Sequence, residues 1–231
     1  MNRIGLRLVC LLIGYLFGCL QWSYLIGKSK GIDIRTKGSG NAGTTNAARV
    51  MGKKVGLLVL VLDFGKSLIC LLLVGWLFGK SYPDMVYLLK MYAFAGVVLG
   101  HDFPFYMNFK GGKGAAALAG FVFGFHISLL PFGVISFFVP LLISNYVSVG
   151  SICVYCTTCI VVMIEACTGL YHLGSSAYIV ELCLIMVLLT ALAIWQHRGN
   201  IDRLRHGTER KTYLFSHKDE GEKHEIHSDK G

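Results

Sequence analysis

Long apolar blocks separated by short polar connections set the pattern of this chain. Runs at about Gly5 to Ile26, Val55 to Phe78, Val149 to Cys167 and Ala177 to Trp195 each reach the roughly 20 residues that a helix needs to cross a hydrocarbon core. They predict four membrane spans. Met85 to Gly100 predicts a fifth, shorter one that crosses with local thinning or a polar cap at its ends. Gly114 to Ser144 is too long for one helix, at about 46 Å for 1.5 Å per residue. It predicts two short helices that turn near His126 and Pro131. The expected architecture is all-α: a polytopic membrane protein with seven transmembrane helices in a single domain over residues 1–211. A polar tail over 212–231 carries no structure signal and is expected to be disordered.

Charge gives the array a direction. Only 15% of the residues are charged, yet the net charge is +9, so basic residues crowd the connections. Seven spans put the termini on opposite sides. With the N-terminus outside, seventeen of the 22 Lys and Arg fall in cytoplasmic segments, and only Arg3, Arg7 and Lys80 lie outside. That orientation obeys the positive-inside rule and leaves the C-terminus cytoplasmic. It also accounts for the basic excess without a nucleic-acid partner. Arg3 and Arg7 ahead of Leu16-Phe17-Gly18-Cys19 have the look of a cleaved leader, but the apolar run continues to Ile26 and predicts a retained span.

Several smaller features read as structure. The eight cysteines lie mostly within apolar runs and imply no disulfide. Cys153, Cys156 and Cys159 share a helical face without a His or carboxylate, which fits helix packing and not a metal site. His217, His224 and His227 belong to the solvated tail. Asp63 and Lys66, three apart inside the second span, are expected to pair. Lys90, Glu165 and Glu181 near the outer ends are expected to snorkel.

Three polar constellations remain, all on the cytoplasmic side. The first, Gly38-Ser39-Gly40-Asn41-Ala42-Gly43-Thr44-Thr45-Asn46, is followed by Arg49. It fits G-x-G-x-x-G but lacks the strand that a dinucleotide fold requires. What survives is anion chemistry: Thr44 or Thr45 capping a short helix that reaches Gly52, with free N–H groups and Arg49 one turn in. The second is Gly100-His101-Asp102-Phe103-Pro104 leading to Phe109-Lys110-Gly111-Gly112-Lys113-Gly114, directly before an apolar helix. Two lysines among three glycines at a helix start suit a phosphate or acyl phosphate, and the absence of Ser or Thr after Gly-Lys excludes a Walker A loop. The third is His197-Arg198-Gly199-Asn200-Ile201-Asp202-Arg203-Leu204, with Gly207 and Glu209 beyond. His197 and Asn200 share a helical face. His197 and Asp202 also spell H-x-x-x-x-D, the pattern of acyl-CoA-dependent acyltransferases.

In their order and content these three stretches resemble the motifs of the bacterial acyl-phosphate:glycerol-3-phosphate acyltransferases, over nearly the whole chain. That family spans the membrane seven times with its N-terminus outside. The resemblance implies that Ser39 and Arg49 line the substrate site, that Lys110 and Lys113 hold phosphate, and that His197 and Asn200 complete the glycerol 3-phosphate pocket. It implies that Gly38, Gly40, Gly111, Gly112 and Gly114, with Asn41 and Gly43 beside them, cradle acyl phosphate through backbone amides. Ser148 or Ser151 looks like the family's further polar contact. Ala42, Thr44 and Asn145 depart from the common pattern.

The activity implied is transfer of an acyl chain from acyl phosphate to the sn-1 hydroxyl of glycerol 3-phosphate at the inner face of the bacterial cytoplasmic membrane. Lysophosphatidate and phosphate would leave, with no metal, cofactor or protein partner. Positioning would dominate. His197, Lys113 and Ser39 are the candidate catalytic residues, and either His197 or a substrate phosphate oxygen takes the hydroxyl proton. No Ser-His-Asp triad is recognisable, so direct transfer without an acyl-enzyme is expected. An acyl-CoA donor and a phosphate or sugar-phosphate transporter are the alternatives; the chain shows no inverted repeat of broken helices.

Overall fold

A computed structural model describes residues 3–212. Among them there is no strand. The helices are α1 (Arg3–Gly18), α2 (Trp22–Ser29), α3 (Thr44–Met51), α4 (Lys53–Phe78), α5 (Val86–Asp102), α6 (Ala115–Phe125), α7 (Leu129–Ser144), α8 (Val147–Cys167), α9 (Ser176–Gln196) and α10 (Arg198–Arg205). Four stretches are long and apolar enough to cross a membrane: Arg3–Ser29, α4, α8 and α9. The tail with its three histidines lies outside the described residues.

Helix α5 is the central element. Twelve of its 17 residues are buried, which explains why so short an apolar run is tolerated: its neighbours, not lipid, cover it. Its tightest partner is α1. A Cβ at Gly14 would fall 1.9 Å from Ala93 O and one at Gly18 2.3 Å from Val97 O. From the other side, Gly96 would meet Leu11 O at 2.1 Å and Gly100 would meet Tyr15 O at 2.2 Å. Glycines four apart on both helices therefore let the two backbones touch, the usual route to close packing where lipid gives no hydrophobic drive. Phe94, Phe121 and Phe125 stack through the centre, with ring centroids 4.2 and 4.6 Å apart. Trp76 and Ile143, each 79% exposed, point outward.

The fold departs from the sequence expectation in four places. The first apolar run is broken: α1 stops at Gly18, and the chain restarts at Trp22. The turn between α6 and α7 lies at His126 to Ser128, where His126 Nδ1 meets Ser128 Oγ at 2.7 Å. Pro131 instead sits in the first turn of α7, where no N–H is needed. Gly43, not a threonine, caps α3. Lys90, Glu165 and Glu181 are paired and do not snorkel. Lys90 Nζ donates to Gly124 O at 3.0 Å, Tyr171 donates to Glu165 at 2.5 Å, and Glu181 takes both Arg7 Nε and Tyr92 OH at 2.5 Å.

These contacts sort the helix ends. The starts of α1, α5 and α9 meet at one end through Arg7, Tyr92 and Glu181. All three glycine-rich and basic stretches meet at the other.

Candidate active site

The first loop is shaped by Asn46 of α3. Its Oδ1 accepts from Ser39 N at 2.8 Å, while its Nδ2 donates to Lys37 O at 3.0 Å and Ile34 O at 3.2 Å. One buried amide thus ties the loop to the 3-10 turn Ile34–Thr36. Ala42 N donates to Gly111 O at 3.4 Å, joining the first loop to the second. Ser39 and Arg49 are exposed at the rim, and Arg49 feels the charges of Arg210, Glu209 and Arg203.

The second loop folds back over the end of α5. Gly111 N donates to Asp102 O at 3.0 Å and Gly112 N to His101 O at 2.9 Å. A side chain at Gly112 would fall 2.1 Å from His101 Nε2. Gly114 caps α6 with φ +72°, and a Cβ there would lie 2.6 Å from Tyr155 OH. Its conformation and its neighbour both demand glycine.

These bonds correct the expected cradle. The amides of Gly40, Gly43, Gly111 and Gly112 donate to Lys37 O, Asn41 O, Asp102 O and His101 O, so they are spent within the protein. Among the described residues no such bond engages the amides of Gly38, Asn41, Lys113 and Gly114. Those amides, with the first turn of α6, are the donors left free.

Lys113 turns inward and its Nζ donates to Asn200 Oδ1. Burial, then Arg203, pulls the Lys113 ammonium down to about 8. Asn200 Nδ2 donates to Glu209 Oε1 at 2.7 Å, Ser148 Oγ donates to the same oxygen at 3.2 Å, and Arg203 Nε donates to Glu209 Oε2 at 2.6 Å. Burial raises the Glu209 carboxyl, but the bonds from Asn200 and Arg203 outweigh it and leave the group below its usual range. His197, 4% exposed, has Nδ1 2.7 Å from Ala193 O. A carbonyl only accepts, so Nδ1 holds the proton and Nε2 is left as an acceptor. Burial pushes this imidazole down to about 4. Thr212 N donates to Asn145 O at 2.7 Å, which ties the segment after α10 to the α7–α8 connection.

The sequence model of the family described as glycerol-3-phosphate acyltransferase matches residues 8–207. The chain belongs to this glycerol-3-phosphate acyltransferase family. A glycerol-3-phosphate acyltransferase of Finegoldia magna is 40% identical over 209 residues, covering 90% of this chain and 95% of that one. One of Shouchella clausii is 38% identical over 202 residues, covering 87% and 93%. The crystal structure of PlsY (YgiH), an integral membrane glycerol 3-phosphate acyltransferase, in its glycerol 3-phosphate form superposes with a TM-score of 0.76 at 34% identity, over 90% of this chain and 96% of that one. Its lysophosphatidic acid form gives 0.73.

In this acyltransferase, Lys113, Ser148 and Asn200 come together through bonds that converge on Asn200 and Glu209. Ser151 is out of the set: its Oγ returns to Val147 O at 2.8 Å within its own helix. Ser39 and Lys110 stand exposed on the rim, with no side-chain partner among the described residues. His197 and Asp202 do not meet. Asp202, 71% exposed, lies 3.5 Å from His206 instead, so the H-x-x-x-x-D pattern forms no pair. Two residues of this region carry no signal of their place in the sequence. Glu209 lies beyond the third motif, and nothing in its spacing announces three donors. His101 stands in the second motif with nothing around it to mark its contact with Lys66.

Proposed function

We propose that this acyltransferase moves an acyl chain from acyl phosphate to the sn-1 hydroxyl of glycerol 3-phosphate. It acts at the cytoplasmic face of the bacterial inner membrane as one domain of seven spans, with the N-terminus outside. The observation that carries the reading is the linkage of Lys113, Asn200, Glu209 and Ser148, which draws the second and third motifs and the start of α8 into one anion-binding cluster. The helix ends support the topology: α1, α4, α5, α6, α7, α8 and α9 run alternately between the two ends, and the basic loops collect at one of them.

In this reading Arg49, Arg203, Ser148 and Asn200 take the phosphate of glycerol 3-phosphate. Lys113 and the free amides at the start of α6 take the phosphoryl group of the donor. The sn-1 oxygen bonds to the acyl carbon, the bond from that carbon to the bridging phosphate oxygen breaks, and phosphate leaves with the electron pair. His197, with a basicity near 4, is a poorer proton acceptor than a phosphate oxygen, whose second ionisation lies near 6. The hydroxyl proton therefore goes to a substrate phosphate oxygen. His197 Nε2 orients the hydroxyl by accepting its hydrogen bond in the ground state. Product and acyl chain stay in the bilayer.

The test offers detergent-purified enzyme labelled glycerol 3-phosphate with long-chain acyl phosphate or acyl-CoA in parallel. Lysophosphatidate from acyl phosphate alone, lost in Lys113→Ala, is the expected result. Product from acyl-CoA alone overturns the donor assignment.

A further inference from the structure

Below the second loop lies a group of charges buried beside the break between α1 and α2. The Lys66 ammonium has three N–H donors. Three acceptors meet them: Gly18 O at 3.1 Å, Leu20 O at 2.8 Å and His101 Nδ1 at 2.9 Å. The Asp63 carboxylate lies 2.9 Å away as the counter-charge, yet its near oxygen makes no hydrogen bond. An ammonium has no lone pair to offer, so His101 Nδ1 accepts. A neutral imidazole that accepts at Nδ1 carries its proton on Nε2.

That Nε2 lies in the notch left by the missing side chain of Gly112. No atom among the described residues pairs with it. The His101 side chain is only 3% exposed, and the orphaned oxygens of Asp102 and Tyr155 lie close by. The amides of Gly111 and Gly112 above it are already spent. A fixed, unused donor therefore stands beneath the loop just where the expected amide donors do not.

We propose that His101 is a catalytic residue of the acyl transfer. Its Nε2–H donates to the acyl carbonyl oxygen of the donor, the oxygen that gains charge as the tetrahedral centre forms, and Lys66 holds it in the donating tautomer. This rests on the acyl-phosphate reading above. His101 keeps its proton throughout; the hydroxyl proton leaves on phosphate as before. His101 and His197 are thus set in opposite tautomers, one donating through Nε2 and the other accepting through it.

The experiment compares wild type, His101→Phe and His101→Gln in detergent, with acyl phosphate and glycerol 3-phosphate. Loss of one donor to an oxyanion lowers kcat by about 10²–10³-fold. His101→Phe should show that loss, with KM for glycerol 3-phosphate moved less than about threefold. Gln, whose amide N–H reaches the same point, should recover at least about tenfold. Activity of the Phe variant within about threefold of wild type overturns the proposal, and so does a Gln variant no better than Phe. A wild type inert toward acyl phosphate overturns the donor reading itself, and with it the role of His101. Should both variants fail to fold, ¹⁵N NMR of histidine-labelled wild type decides. A buried histidine protonated on Nε2 that shifts on adding a long-chain acyl phosphonate supports the role. Only Nδ1-protonated buried histidines, or no shift, overturns it.

Discussion

Asn200 and Glu209 are joined at 2.7 Å, amide to carboxylate, across the turn that ends α10. With Ser148 and Arg203 the same carboxylate holds three donors from two separate parts of the chain, and its side chain is only 7% exposed. Truncation leaves those donors facing each other in a basic pocket. Glu209→Ala is expected to lose about 1–3 kcal/mol of stability and to raise KM for glycerol 3-phosphate, as Asn200 and Ser148 lose their fixed positions. Thermal unfolding in detergent and steady-state kinetics check both. A variant with wild-type stability and KM would disprove the positioning role.

Lys113 titrates near pH 8 because it is buried and stands beside Arg203. It is charged below that pH and neutral above it, so kcat/KM should fall on the alkaline side as the cation is lost. Arg203 depresses the ammonium, so Arg203→Ala should move this limb to higher pH. A pH profile of both proteins reads the shift directly. A limb that stays in place assigns it to some other group.

The seam between α1 and α5 admits no side chains on its glycines. Gly96→Ala places a methyl group 2.1 Å from Leu11 O and is expected to cost about 1–3 kcal/mol by overpacking. Gly65 in α4 has nothing within 4 Å of the same position. Gly65→Ala should therefore be neutral or stabilising by up to about 1 kcal/mol. Melting temperatures of the two variants side by side test the contrast, and equal changes would show that the close contact at Gly96 does not set the cost.

Removing Lys66 abandons Asp63 in the interior and leaves two carbonyls without a donor. Lys66→Met is expected to cost about 3–5 kcal/mol. Adding Asp63→Leu should restore part of it, because the isolated charge goes while the carbonyls stay unpaired. A double-mutant cycle on detergent-purified protein measures the coupling. Additive losses would mean that the two charges do not act as a pair.

Much of this fold was legible because hydrocarbon is a strict solvent. The four long runs, the fold-back of residues 114–144 and the Asp63–Lys66 pair all follow from length and from the cost of bare charge in lipid. The break after Gly18 was not legible, since Cys19-Leu20-Gln21 is apolar enough to continue a helix. The reason for stopping lies 48 residues away, in Lys66, which binds the freed Gly18 carbonyl. The site divides in the same way. Lys113 and Asn200, with Ser148 or Ser151, could be grouped through the family resemblance. The use of the glycine amides could not, because an amide committed to Asp102 O or His101 O looks in sequence like one kept for a ligand. Lys90 and Glu181 were misjudged for a related cause: their partners come from other helices, which one apolar run does not reveal.

The break after Gly18 also dictates an order of events at the ribosome. Helix α4 is made after α1, so Lys66 can meet the carbonyls of Gly18 and Leu20 as soon as it enters the bilayer. His101 lies 35 residues further on, and until it is synthesised the third N–H of Lys66 lacks its partner. Domains grow from the N-terminus. Here the first two long helices can come together before the end of α5, on which the second glycine-rich loop rests, has been made.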